Sequence, residues 1–244
     1  LGARFQIGGL GKVFADNVTL IYEPTSERKA SFDVEGIDDI AVDAESKVTL
    51  PDATIEGKHF VGWKDEMGNF AQPGETVKLQ RSMTFSAVSM KVELQTGAGI
   101  RWAEQETERG IRFETYVDKA MLDTLGSSNF TIGTLIAPAA TVTADNFKME
   151  NAESLKALNV VDPKTYGTTD DGENYRYYGA VVDFEKYFGV SADAAANLKL
   201  AARGYITIKY ADETTATFYS DFNALDHVRS VNDVANAALK DTAA

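Results

Sequence analysis

The sequence predicts a β-rich α+β chain. A small antiparallel unit spans residues 31–92, and a larger antiparallel sheet or sandwich module spans 93–244, with a few short helices and one helix at the C-terminal end. Three observations carry this. Short apolar runs recur roughly every dozen residues with glycine, proline or asparagine between them, the rhythm of strands joined by tight turns. The longest regular pattern, residues 198–210, alternates with period two. Clean helical periodicity is confined to the C-terminal end, where Val231, Val234, Ala235, Ala238 and Leu239 share one face.

Taken in order, the chain opens with the glycine-rich run LGARFQIGGLGK, followed by VFADNVTLIYEP. In the second run Val13, Ala15, Asn17, Thr19 and Ile21 alternate with Phe14, Asp16, Val18, Leu20 and Tyr22, so both faces carry apolar groups, as in a strand buried in a sandwich. Pro24 and the polar residues 25–29 read as a linker. A segment this short does not bury a core of its own. Residues 1–30 are therefore expected to be the truncated end of a preceding β-sandwich domain plus linker, in a chain that begins at Leu1 and is a mature product or an excised part of a longer protein.

Within 31–92 the strand-like runs are SFDVEGI, SKVTLPDA, HFVGWKD, TVKLQ and MTFSAVSMKVEL. Pro51, Gly57, the turn Met67–Asn69 and the turn Pro73–Glu75 separate them. Beyond residue 93, Ile111, Phe113, Thr115 and Val117 alternate with Arg112, Glu114 and Tyr116. Residues 131–138 and 175–184 read as further strands. In 198–210, Leu198, Leu200, Ala202, Ile206 and Ile208 oppose Lys199, Arg203, Thr207 and Lys209, the pattern of a half-buried strand. Residues 211–215 turn it into ATFYSDF, which makes 198–222 a hairpin. Asp118 is placed to cap a short helix holding Met121, Leu122 and Leu125, which Gly126 ends. Another short helix is placed in 152–158. Ser230 and Asp233 have capping-box spacing ahead of the last helix.

Composition excludes more than it identifies. A content of 44% hydrophobic and 25% charged residues rules out global disorder. Thirty-seven acidic against 24 basic residues leave a formal charge of −13, which repels phosphate backbones and anionic lipid, so nucleic acid is not an expected partner. No apolar run approaches the roughly 18 residues of a membrane-spanning helix, and membrane insertion is not expected. With no cysteine, thiol catalysis, cysteine-ligated zinc and disulfides are excluded. His59 and His227 lack a serine or aspartate partner at recognisable spacing, so a catalytic triad is not expected.

The remaining chemistry candidates weaken on inspection. In Gly8-Gly9-Leu10-Gly11-Lys12 the first glycine of a phosphate loop would fall at Gln6, and Val13 replaces the metal-binding hydroxyl. Asp170-Asp171-Gly172-Glu173 lacks the alternating acids of a calcium loop and reads as a turn. Glu104, Glu106, Glu108, Asp183 and Glu185 show no pattern that would pair two of them as glycosidase acids. Neither cofactor nor metal is expected. Arg101, Arg112, Arg203 and Arg229 sit inside apolar motifs and are expected to form ion pairs with Asp or Glu. The aromatics point furthest. Tyr175 and Tyr177 share one face of a strand at about 6.6 Å spacing, close to one pyranose ring, and are the expected ligand-binding residues. The alternative on the same strand is that this face is buried and that Arg176 and Tyr178 point to water. Trp102, Tyr116, Tyr166, Tyr205 and Tyr219 complete the aromatic set.

Residues 31–88 resemble the Listeria–Bacteroides repeat, also called the internalin B-repeat. The resemblance rests on Phe60-Val61-Gly62-Trp63, then Asp65, Gly68, Pro73-Gly74 and the closing strand Met83–Val88, which here lacks the Tyr or Trp common in the family. It implies a β-grasp-like module of extracellular bacterial surface proteins, with Trp63 in its core and no catalytic residue. Residues 97–240 are similar to a module that follows such repeats in secreted proteins of Gram-positive gut bacteria. The matching residues are Gly99–Arg101, Gly110–Phe113, Gly133–Pro138, Ala202–Tyr205 and Val228–Ser230. Phe14–Leu20 is similar to the last strand of jelly-roll carbohydrate-binding modules.

These readings converge on a non-catalytic, extracellular segment, a monomer within a longer chain. It would act as spacer plus adhesion module, with a polysaccharide or host-surface glycan as partner, and the chain's negative charge argues for neutral glycans. The alternatives are a spacer without ligand, or an accessory region of an extracellular glycoside hydrolase whose catalytic domain lies upstream.

Overall fold

The computed structural model describes residues 27–161 and 165–241. The strand expected at 13–22, the domain end it belongs to and the glycine-rich run at 8–12 lie outside the described residues. The fold is β-rich α+β, built from antiparallel sheets with a few short helices.

The first unit contains β1 (Lys29–Phe32), β2 (Ile40–Ala41), β3 (Lys47–Thr49), β4 (His59–Asp65), β5 (Phe70–Ala71), β6 (Thr76–Lys78) and β7 (Met83–Met90). Five of them form a sheet in the order β2-β1-β7-β4-β5, while β3 and β6 form a separate ribbon. The sheet is not wholly antiparallel. β1 and β7 pair in parallel, with Ala30 opposite Met83, and the chain between them supplies the long crossover that parallel pairing needs. The ladder between β4 and β7 shifts between Phe60 and Gly62. That extra residue turns Phe60 and Trp63 to one core and Val61 to another. Trp63 is fully buried beside Phe32 and Phe60, and its indole N–H donates to the Pro51 carbonyl at 2.7 Å.

Only Lys91 separates β7 from β8 (Val92–Leu94). There follow β9 (Gly99–Arg101), β10 (Gly110–Asp118), α1 (Lys119–Leu125), β11 (Phe130–Pro138), β12 (Leu158–Val161), β13 (Asn174–Val181), α2 (Phe184–Phe188) and α3 (Ala192–Ala195). The chain continues through β14 (Leu200–Lys209), β15 (Thr215–Tyr219), α4 (Ala224–His227), β16 (Val228–Arg229) and α5 (Val231–Asp241). One sheet has the order β13-β10-β8 with β9 also on β10; the other is β12-β11-β14-β15 with β16 on β14. The two stack face to face. Ile111, Phe113 and Val181 of the first meet Ile136, Leu200 and Ala202 of the second. At the crossing, Thr115 fills the space over Gly204 and Thr134 the space over Gly179, where a Cβ would stand 2.6 and 2.5 Å from the threonine side chains. The two buried hydroxyls bond to each other at 2.9 Å, so each satisfies a polar group inside the sandwich.

β14 departs from the half-buried pattern. Its second face buries Ala201 and Tyr205 against Phe147 and Leu155, because residues 139–157 fold back over the sheet as a further layer. Arg203, on that face, holds this layer by donating to the carbonyls of Ala144 and Phe147, both at 3.0 Å. The helix expected at 152–158 is displaced. A 3-10 turn occupies Met149–Asn151, Lys156 turns left-handed at φ 52°, and pairing with β11 pulls Leu158–Val161 into a strand.

The two units share a core. Val61 and Met90 of the first pack with Val117, Ile206 and Tyr210 of the second. The Tyr210 hydroxyl donates to the Val61 carbonyl at 2.9 Å, and burial pushes its pKa up to about 12. His59 Nε2 lies 2.8 Å from the Tyr219 carbonyl across the same junction.

The last helix carries the capping box its sequence predicts. Ser230 N–H donates to Asp233 Oδ2 at 2.7 Å, and Asp233 N–H donates to Ser230 Oγ at 3.2 Å. Lys199 Nζ, at 2.5 Å from the same carboxylate, is the largest influence holding the Asp233 pKa down at about 2. A carboxylate depressed in the folded state stabilises it fully above its unfolded value of about 3.9, and that contribution drains as pH falls toward 2. Asp233 is 33% exposed, which discounts the effect to about 1–2 kcal/mol. Asp233→Asn is expected to lose this at pH 7 and to flatten the pH dependence of urea unfolding between pH 4 and 2. An unchanged acid limb in the variant would contradict it.

Candidate functional site

Tyr175 and Tyr177 do share a face of β13, but it is the inner one. Tyr177 is 6% exposed and packs in the shared core beside Val117 and Ile132. Tyr175 is half-buried, and its hydroxyl donates to Asp123 Oδ1 at 2.9 Å. Both border a cleft of about 540 Å³ beside Leu122 and Phe130, without forming an exposed platform. The reason is the sandwich itself: the inner face of β13 must cover β11, as Gly179 over Thr134 makes explicit.

The alternation therefore sends Arg176 and Tyr178 outward. Cross-strand register sets Tyr178 against Glu114 and Arg176 against Tyr116. Glu114 is 8% exposed and accepts from Arg176 Nε at 3.2 Å, Arg176 Nη2 at 2.8 Å and the Tyr116 hydroxyl at 3.3 Å. That hydrogen bond to Glu114 raises the Arg176 pKa; burial first, and Glu114 second, raise that of Tyr116. Arg176 Nη2 also donates to the Tyr178 hydroxyl at 2.9 Å. The Tyr178 ring is thus fixed from beneath. Tyr166 stacks on it at 4.3 Å, and the Arg112 guanidinium lies 4.5 Å from its centroid.

A second wall comes from the β9–β10 hairpin. Trp102 at its tip is 73% exposed, and the Arg109 guanidinium sits 4.0 Å from its ring centroid. Arg109 is itself held by donating from Nε to the Ala103 carbonyl at 2.9 Å. Arg101 donates from Nε to the Glu108 carbonyl at 2.9 Å, with its Nη2 3.7 Å from the Glu108 carboxylate. Between the hairpin, the edge of β13 and Val160–Val161 of β12 lies a cleft of about 620 Å³. Arg101, Trp102, Glu108, Arg112, Tyr166 and Tyr178 line it. Gly99 leaves room for the Arg112 side chain: a Cβ at 99 would stand 3.0 Å from Arg112 Nε. Chemically, the cleft offers three aromatic rings and two guanidinium groups, a surface for a flat, hydroxyl-rich ligand.

Several expected residues have structural roles. Asp183 caps α2, accepting from Lys186 N–H at 2.9 Å, and Glu106 pairs with Arg109 at 3.3 Å. Asp171 accepts from Glu173 N–H at 3.0 Å in a turn where Gly172 has φ 78°. Among the described residues no group of three or more His, Asp or Glu is placed to hold a metal ion. Of the four arginines expected in ion pairs, Arg101 and Arg112 stand 3.7 Å from carboxylates, whereas Arg203 and Arg229 bond backbone carbonyls. No helix among the described residues is long and apolar enough to cross a membrane.

Compared with known proteins, the chain matches no family model, no curated protein and no solved structure.

Proposed function

We propose that this chain is a non-catalytic segment of an extracellular bacterial surface protein, and that its second module binds a glycan in the cleft between Trp102, Tyr166 and Tyr178. The observation that carries this reading is that the exposed Trp102 ring and the stacked pair Tyr166 and Tyr178 line one cleft of about 620 Å³. Sugar rings present flat C–H faces that bury apolar area on such rings, each worth on the order of 1 kcal/mol, while hydroxyl groups take hydrogen bonds from arginine. The first unit serves as a spacer. Its core shared with the second module supports this, because it holds the two units as one stiff body. The surface location rests on the resemblance of residues 31–88 to extracellular repeats.

Titration calorimetry of the full chain against a panel of polysaccharides tests the reading. Binding to at least one polymer is expected, weakened about tenfold by Trp102→Ala, the equivalent of about 1.4 kcal/mol. Trp102 is exposed, so the variant should keep its unfolding temperature. Absence of binding to every polymer would favour a spacer without ligand.

A further inference from the structure

The geometry points to a saccharide carrying a carboxylate as the ligand of this cleft, an inference that rests on the glycan-binding reading. The observation behind it is Arg112. Its side chain is 35% exposed and lines the cleft. Among the described residues its Nε is buried without a hydrogen-bond partner, and its Nη2 stands 3.7 Å from Glu114 Oε1. That distance is beyond a hydrogen bond. Glu114 is committed elsewhere, to Arg176 and Tyr116. Arg112, with its guanidinium 4.5 Å from the Tyr178 ring centroid, thus makes no hydrogen bond to an acceptor among the described residues.

A guanidinium fixed in one plane presents its outer N–H groups as a fork, and a planar carboxylate matches that fork with two parallel hydrogen bonds. Arg101 adds a second positive charge to the same cleft, against the single carboxylate of Glu108, which is 53% exposed. The local balance is therefore positive on a chain whose net charge is −13. At about 0.15 M ionic strength remote charges are screened over about 8 Å, while an ion pair at hydrogen-bond distance is not. The cleft, and not the whole-chain charge, then decides the ligand. Neutral glycans, which the net charge favours, lack the group that Arg112 is placed to receive. A uronic acid supplies both a ring for the exposed faces of Trp102 and Tyr166 and the carboxylate for Arg112.

The test uses the full chain at about 0.15 M salt. Polygalacturonate, alginate and hyaluronan are each titrated beside the same polymer after reduction of its carboxyl groups to neutral alcohols, with dextran sulfate as a separate arm. At least one acidic polymer is expected to bind about tenfold or more tightly than its reduced partner, and Arg112→Gln is expected to weaken the acidic form more than the reduced one, so that the ratio between them falls to about one. The wild-type comparison stands even if the variant fails to fold. Reduced and acidic forms binding equally would overturn the inference and leave the glycan reading standing, as would binding to dextran sulfate alone. No binding to any polymer would remove the glycan reading and the inference with it.

Discussion

Trp63→Ala is expected to lower the free energy of unfolding by about 3–5 kcal/mol, the range for truncating a buried aromatic ring. The side chain is fully buried, with ring centroids of Phe32 at 4.7 Å and Phe60 at 5.0 Å. Truncation removes the centre of this cluster and leaves a cavity that β-sheet neighbours on both sides keep from collapsing. It also strands the Pro51 carbonyl, which accepts the indole N–H at 2.7 Å. Trp63→Phe keeps a ring and loses mainly the hydrogen bond, so it should cost about 1–2 kcal/mol. Urea denaturation of both variants checks the difference. A cost below about 1 kcal/mol for Trp63→Ala, or free quenching of Trp63 by iodide, would contradict the core assignment.

Arg176→Ala is expected to destabilise by about 2–4 kcal/mol, because it strips the principal partner from a carboxylate that is already out of water. Glu114 is 8% exposed, and Arg176 provides two of its hydrogen bonds. What remains is the Tyr116 hydroxyl at 3.3 Å and Arg112 at 3.7 Å. The range lies below that of a fully buried pair because Arg176 is 30% exposed. Neutralising the orphan should recover part of the loss, so Arg176→Ala combined with Glu114→Gln is expected to be more stable than Arg176→Ala alone. A double variant as unstable as the sum of its parts would show that the two side chains act independently.

The residues that obey strict periodicity were legible in the sequence. β10 and β14 fall where period-two alternation puts them, β11 falls on the apolar run at 131–138, and α5 begins at the capping box formed by Ser230 and Asp233; the strand expected at 175–184 stops at Val181, because Asp183 caps α2 and takes Phe184 into that helix. What alternation leaves open is which face is covered. For β14 the second face looked exposed until residues 139–157 folded over Ala201 and Tyr205. For β13 the pair Tyr175 and Tyr177 looked like a platform, but the opposite sheet claims that face and leaves Tyr178 outside. The parallel pairing of β1 with β7 joins strands far apart in sequence, and no local signal reports it. Trp102 and Tyr166 stand outside the regular strands, where periodicity does not place side chains, and only tertiary packing brings them beside Tyr178. Their residue type was the available signal, because exposed aromatics in a polar setting mark binding surfaces.

The chain reports on its own cleft, since it has two tryptophans, Trp63 fully buried and Trp102 73% exposed. Iodide, a hydrated ion that stays in water, quenches only the accessible indole. Quenching measured with and without a saturating polysaccharide therefore reads the occupancy of the cleft directly. The account predicts that a bound polymer shields Trp102 and shifts its emission to the blue, leaving Trp63 unaffected. A polymer that binds the chain while Trp102 stays fully quenchable would place the site elsewhere and contradict the account.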